Sequence, residues 1–182
     1  MNRLNISSER ELSDSMWTAI QDFLRHSPAR LKVVRAIVEL GFSVKEDGKI
    51  YCGYIEIPPT KIARAIGIDR RVINETIKMI LSKPELKEVF ENIKPAGPFF
   101  RDVAKKFGFG VVVINAEPKA VGVVAEATRL IAEEGISIRQ ILAEDPELFP
   151  EPKLTIITER ELPGGMIPKL LKIAGVKGVS VF

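Results

Sequence analysis

The residues best suited to chemistry in this 182-residue chain begin one predicted helix, where Arg70 and Arg71 precede Asn74. An arginine can donate two hydrogen bonds to the edge of guanine, and an asparagine can pair in the same way with adenine. Between Lys61 and Lys83 the chain has six basic residues against two acidic ones, which suits contact with phosphate. The residues that we predict to bind double-stranded DNA are Lys61, Arg64, Arg70, Arg71, Asn74 and Lys78.

A tight turn between two helices has to position these side chains. Apolar spacing predicts helices over residues 60–66 and 70–81. Ala63, then Gly67 four residues on, then Ile73 six residues beyond that match a helix-turn-helix, in which a small residue and a glycine let two helices cross closely. In such a motif the start of the second helix faces base edges in the major groove.

The same helix pair allows other interpretations. It departs from the usual pattern at Thr76, where an apolar residue is more common and where Ile77 would serve instead through a slightly rotated helix. A generic helix pair with a solvated basic face, or one that docks on a protein, is the alternative. The helix dipole disfavours cations at the N-terminus, and Asp69 is placed to cap the helix there. Arg70 and Arg71 are therefore not expected to stabilise the helix. DNA contact is therefore the favoured interpretation.

The elements before this pair are mainly helical. Apolar spacing predicts helices over residues 16–25 and 29–40, with Gly41 as a stop signal. Residues 42–44 and 50–57, joined by a polar turn, are predicted to form a β-hairpin. A hairpin in this position fits a winged variant of the helix-turn-helix.

Charge and chain-breaking residues divide the chain into three predicted parts. There are 19 basic and 14 acidic residues up to residue 110, but 8 and 10 after it, which indicates two domains with different partners. Prolines and a glycine in residues 94–98 interrupt two helical patterns. We predict a helix-turn-helix domain over residues 1–81 and a second domain over residues 109–182. Residues 82–108 would form connecting helices, or part of them the wing.

The second domain is predicted to be a β-α-β-β-α-β unit. Its first helix is bracketed by two glycines, Gly122 and Gly135. The first glycine lets the helix N-terminus approach another group closely, and the second permits a left-handed C-terminal cap. The apolar face predicted for this helix consists of Val123, Val124, Ala127, Leu130 and Ile131.

This glycine framework resembles the ACT domain, a small-molecule sensor module with a ferredoxin-type fold. The family's usual acidic-basic-Pro-Gly loop is replaced here by a longer segment, residues 115–121. The resemblance implies an amino acid or similar small metabolite bound between two copies of the domain, with its carboxylate at the helix N-terminus. A sensor that only dimerises is the alternative. The ligand-binding residues that the resemblance implies are Asn115, Glu117, Val121, Gly122, Val123, Ser137 and Gln140.

The two signals together resemble predicted archaeal regulators of amino-acid metabolism. The expected fold class is α+β, with an N-terminal, mostly helical (winged) helix-turn-helix domain followed by an ACT-like β-α-β-β-α-β domain. The expected function is amino-acid-responsive transcription regulation by a homodimer or higher homo-oligomer. The alternative is a regulatory protein that docks on a biosynthetic enzyme without binding DNA.

Other function classes find little support in the sequence. One cysteine, Cys52, and one histidine, His26, rule out a disulfide within the chain and argue against a zinc site. No nucleophile lies beside a base and no two carboxylates are opposed, so we expect neither catalysis nor a cofactor. The chain has no run of 18 apolar residues and begins without the apolar core of a signal peptide, so we expect a cytoplasmic protein that does not bind membranes.

Overall fold

The computed structural model describes residues 16–182 except for the side chains of Met16 and Ala19. Its helices and strands form two compact units, each with its own buried apolar residues. The first 15 residues of the predicted domain 1–81 lie outside this range. Helices and two antiparallel sheets are present, which confirms the α+β class. The chain divides into two compact units at Gly97 and Pro98, so the predicted connecting segment 82–108 is shared between them.

The first unit surrounds its buried apolar residues with five helices and a small sheet. Helix α2 packs on α3 and α4, and its Val33 and Ile37 are fully buried. The elements are α1 (Met16–Leu24), α2 (Pro28–Glu39), β1 (Ser43–Val44), β2 (Ile50–Cys52), β3 (Ile55–Ile57), α3 (Pro59–Ile66), α4 (Arg70–Leu81) and α5 (Pro84–Asn92).

The predicted hairpin is a three-stranded sheet instead, in the order β1-β2-β3. Residues 50–57 do not form one strand, because Gly53 adopts φ +61° and turns the chain so that Cys52 pairs with Ile55. A two-residue connection with a left-handed glycine suits the twist of two antiparallel strands. The tip of this turn exposes Tyr54 almost completely, at 93%.

Residues 82–108 contain one α-helix and one 3-10 helix and no strand. Helix α5 belongs to the first unit, where Phe90 is fully buried and Lys45 Nζ donates a hydrogen bond of 2.5 Å to the carbonyl oxygen of Glu91. The 3-10 segment, Arg101–Phe107, belongs to the second unit, where Ala104 is fully buried.

The second unit is a four-stranded antiparallel sheet with two helices on one face. Its strands lie in the order β5-β6-β4-β7, and α6 and α7 pack on the face that carries Val112, Ile114 and Ile156. The 3-10 segment lies on the opposite face, where Ala104 joins Val111 and Ile157. The elements after the 3-10 segment are β4 (Gly110–Ala116), α6 (Val123–Glu133), β5 (Ile138–Ala143), β6 (Lys153–Thr158), α7 (Met166–Leu171) and β7 (Val176–Val181).

The apolar face predicted for α6 needs one correction. Val123, Ala127 and Ile131 are buried as predicted, but Val124 is 43% exposed. Successive helical residues are separated by about 100°, so Val124 cannot share the buried stripe that starts at Val123. Gly135 adopts φ +62°, which confirms its predicted role in ending this helix.

Candidate nucleic-acid interface and ligand loop

The turn between α3 and α4 spans only residues 67–69. Gly67 ends α3 with φ +65°, and its N–H donates to the carbonyl oxygen of Ala63, which also accepts a bond of 2.9 Å from the N–H of Ile68. The side chain of Asp69 accepts a bond of 2.7 Å from the N–H of Arg71, so Asp69 is the N-cap that the sequence predicted. The glycine and the aspartate therefore fix where the first turn of α4 begins.

The side of α4 that faces the core holds its apolar residues and one threonine. Ile73 is fully buried, and Ile77 is 3% exposed. Thr76 is itself fully buried, so it occupies a core position together with Ile77. The reason is local, because Thr76 Oγ1 donates a bond of 2.7 Å to the carbonyl oxygen of Val72 and its methyl group can then pack as an apolar one.

All six residues predicted to bind DNA are exposed. Arg70, Asn74 and Lys78 follow one another at four-residue spacing along one side of α4, with Arg71 beside them. Lys61 and Arg64 lie three residues apart on α3, so they share one side of that helix. We call this set the basic face of α3 and α4: Lys61, Arg64, Arg70, Arg71, Asn74 and Lys78.

The basic face is not neutralised by its own unit. None of its side chains forms a hydrogen bond or ion pair with another residue of the described range 16–182, whereas Lys49 of the same unit pairs with Glu56 at 2.7 Å. The one carboxylate on α4, Glu75, is bound at 2.9 Å by Arg30 of α2. The exposed side of α4 therefore offers hydrogen-bond donors and positive charge to a partner.

The predicted ligand loop joins β4 to α6. Asn115 and Glu117 are exposed, and Val121 is 95% exposed. The loop is fixed by a bond of 2.8 Å from the N–H of Glu117 to the carbonyl oxygen of Gly175. Gly122 adopts φ +88° and begins α6 without a side-chain cap.

The N-terminus of α6 therefore keeps its backbone donors available. The first N–H groups of a helix have no partner within the helix, and a glycine N-cap supplies none. The first-turn carboxylate, Glu126, is bound by Arg129 at 2.5 Å and 3.0 Å, and these hydrogen bonds lower the pKa of Glu126. This end of α6 can accept an anion, although the loop supplies no cation beyond Lys119.

The structure separates the ligand residues that the sequence placed together. Asn115 pairs with Lys153 at one end of the sheet, whereas Ile138, next to Ser137, pairs with Thr158 at the other. Five residues of strand separate these ends, which is roughly 17 Å. Within one chain, Ser137 and Gln140 therefore do not join the loop at residues 115–123.

Gln140 has a different role, on the sheet face that carries the 3-10 segment. Its Oε1 accepts a bond of 3.1 Å from the N–H of Phe100, and its Nε2 donates a bond of 2.8 Å to the carbonyl oxygen of Pro98. Both halves of the amide are thus occupied by the segment before the 3-10 helix.

One group of residues on this face was not predicted as functional. The rings of Phe100 and Phe107 lie together outside the main core, with centroids 6.5 Å apart. Arg101, Lys105 and Lys106 lie between these two phenylalanines in the sequence. Aromatic residues interleaved with cations were the signal that could have identified this surface.

Metal-binding and membrane-spanning features are both missing from the described range. Residues 16–182 hold no group of three or more histidine, cysteine, aspartate or glutamate side chains that could bind a metal ion. No helix in the part of the chain that the structure describes has the length and apolar character needed to cross a membrane.

Comparison with known proteins finds solved structures of low sequence identity. No family model and no curated protein match the chain. The ACT domain from the GTP pyrophosphokinase of Chlorobium tepidum is similar over 41% of this chain and 96% of that domain, with 18% identity and a TM-score of 0.34. A crystal structure of the protein PH0061 is similar over 85% of this chain and 88% of that one, with 12% identity and a TM-score of 0.26. Because both TM-scores are low, the fold of each unit is described by its own element order and packing.

Proposed function

We propose that this chain is a transcription regulator that binds double-stranded DNA through α3 and α4. The observation that carries the proposal is the exposed first half of α4, where Arg70, Arg71 and Asn74 have no side-chain partner within residues 16–182. Asp69 already caps the helix, so these side chains contribute little to its stability. Their donors match the base edges that the major groove presents.

The geometry of the helix pair suits docking in a groove. Ile73, Ile77 and Ile80 hold one side of α4 against the core, which leaves the opposite side free to enter the major groove. In this pose Lys61 and Arg64 of α3 would lie over the DNA backbone and bind phosphate. Arg70 and Arg71 would supply base contacts, and Asn74 is the group in the set best suited to adenine.

The second half of the proposal is an ACT-like sensor in residues 98–182. The uncapped N-terminus of α6 would bind the carboxylate of an amino acid or similar metabolite, with Asn115 and Glu117 near its polar groups. Any contribution from Ser137 would have to come from a second copy of the chain, as a ligand between two copies would allow. Regulation then follows if the ligand prefers one arrangement of the dimer and so changes the population that fits DNA.

A regulatory protein that docks on an enzyme is the second candidate. The observation that favours it is the exposed tip of the β2–β3 turn, where Tyr54 is 93% and Ile55 is 55% exposed. Adjacent exposed apolar side chains often mark protein-binding surfaces. This candidate predicts no affinity for duplex DNA even at low salt.

The test is duplex binding by the whole chain, measured by gel shift at low and moderate salt. Arg70→Ala combined with Arg71→Ala should weaken binding at least about tenfold, because each bidentate contact to a base contributes about 1–3 kcal/mol. The matched control is Lys32→Ala combined with Lys94→Ala, which removes the same charge from exposed positions of the same unit. Equal losses in the two double variants would mean that α4 is not the reading element, and no binding by the unaltered chain would favour the docking protein.

A further inference from the structure

A cluster of phenylalanine rings covers one end of the sheet face opposite α6 and α7. The rings of Phe107 and Phe109 are stacked with centroids 5.7 Å apart, and Phe100 lies 6.5 Å from Phe107. Phe182 directly follows the adjoining edge strand β7, and its backbone exchanges two hydrogen bonds with Val111, of 3.0 Å and 3.3 Å. We call this surface the aromatic face, and its members are Phe100, Phe107, Phe109 and Phe182.

Two rings of the aromatic face are largely exposed, although the 3-10 segment that ends in Phe107 is held against the sheet. Ala104 is fully buried against the sheet, and the amide of Gln140 holds the preceding residues in place. Phe107 is nevertheless 62% exposed and Phe182 58% exposed. Exposed rings on a fixed support are more than the fold requires, because rings that served only packing would be covered.

Positive charge surrounds these rings. The guanidinium of Arg139 lies 4.3 Å from the ring centre of Phe109, and that of Arg101 lies 5.9 Å from the ring centre of Phe182. Lys105 and Lys106 are exposed on the 3-10 segment. Residues 98–182 carry 11 basic and 11 acidic residues, so this charge is local and does not reflect the whole unit.

The four cations have little local neutralisation. The 3-10 segment holds one carboxylate, Asp102, and none of the four cations forms an ion pair with another residue of the described chain. Two copies that paired through this face would bring like charges together, which opposes such an interface. The fitting partner is therefore anionic.

Flat rings and unpaired cations together select the kind of anion. An acidic peptide would satisfy the charge but would present no flat surface to Phe107 or Phe182. A single-stranded nucleic acid has phosphates for the cations and bases that stack on exposed aromatic rings. We propose that the aromatic face binds single-stranded nucleic acid, with bases on Phe107 and Phe182 and phosphates on Arg101, Lys105, Lys106 and Arg139. This site is separate from the basic face of α3 and α4.

The test uses fluorescence anisotropy of labelled oligothymidine, oligouridine and an abasic DNA of the same length, each about twelve nucleotides. The whole chain should bind the abasic strand about tenfold more weakly than oligothymidine, because stacking is lost while the phosphates remain. Phe182→Ala should weaken oligothymidine binding about tenfold and leave abasic binding unchanged. The comparison of oligothymidine with oligouridine shows whether DNA or RNA is preferred, and tight binding of either supports the proposal.

Matched variants separate this site from generic electrostatics. Lys105→Gln with Lys106→Gln should weaken binding of every strand, whereas Lys172→Gln with Lys177→Gln, at exposed positions elsewhere in the same unit, should not. Arg70→Ala with Arg71→Ala should retain single-strand binding even if duplex binding is lost, so the two proposals fail independently. Equal affinity for abasic and oligothymidine strands would overturn the proposal, and so would displacement of oligothymidine by polyglutamate at equal charge. Circular dichroism of each variant checks that the fold is retained.

Discussion

At the scale of single residues, Gly41 connects two segments of the first unit that are distant in sequence. It ends α2 with φ +64°, and a Cβ atom there would lie 2.7 Å from the Cα of Pro95. We expect Gly41→Ala to lower the free energy of unfolding by about 2–4 kcal/mol, from left-handed strain and steric overlap together. Urea denaturation followed by circular dichroism measures this loss.

Gly48 provides the matched control. It also has a positive φ, +76°, but a Cβ atom added there would meet nothing within 4 Å. Gly48→Ala should therefore cost only the conformational strain, about 1–2 kcal/mol. Equal losses at the two positions would show that the approach of Pro95 to Gly41 contributes nothing to stability.

Sequence patterns anticipated residue positions well where backbone geometry alone decides them. The glycine stop signals at Gly41 and Gly135 follow from the left-handed conformation that other residues avoid, and both have positive φ. The burial of Thr76 was not anticipated, because a polar side chain is unusual at a core position. Its hydroxyl forms a hydrogen bond inside its own helix, so burial leaves no unsatisfied donor. The fate of such a side chain depends on one local hydrogen bond that a pattern of apolar residues does not encode.

At the scale of elements, the amide of Gln140 determines how the start of the 3-10 segment is held to the sheet. We expect Gln140→Ala to remove two hydrogen bonds and to speed hydrogen exchange at the N–H of Phe100 about tenfold, since each such bond contributes roughly 1 kcal/mol. The measurement is amide exchange by nuclear magnetic resonance. Ser137→Ala is the control, because Ser137 uses only its backbone in the bond with Glu159. An unchanged exchange rate at Phe100 would mean that this hydrogen-bonded link does not hold the segment.

Element type was easier to predict than element pairing. Apolar spacing predicted α4 over the same residues that the structure gives, because its buried side repeats with the period of a helix. The strand predicted over residues 50–57 failed because Gly53 turns it back on itself. The ends of the sheet at which Asn115 and Ser137 lie depend on strand register, which residues distant in sequence decide. The sequence therefore could not show that Asn115 and Ser137 lie at opposite ends of the sheet.

At the scale of the whole molecule, the proposed function requires that ligand binding and DNA binding are coupled. If the ligand loop binds an amino acid, that ligand should raise the melting temperature. At a hundredfold excess over Kd, binding adds about 2.7 kcal/mol to the free energy of unfolding. Thermal shift against the common amino acids identifies it. Asn115→Ala and Glu117→Ala should abolish the shift if their exposed side chains bind the amino acid as proposed.

Coupling between the two sites can be tested more strictly than either binding event alone, because it must be reciprocal. Whatever factor the amino acid applies to DNA affinity, DNA must apply the same factor to amino-acid affinity. Gel-shift titrations with and without the amino acid, and calorimetric amino-acid titrations with and without duplex, should therefore give one coupling constant. Arg70→Ala with Arg71→Ala should leave the amino-acid affinity of the free protein unchanged, since those residues lie in the other unit. A thermal shift without any change in DNA affinity would refute the proposed regulation, although the chain would still bind a ligand. No shift with any amino acid at millimolar concentration would refute the proposed amino-acid sensor.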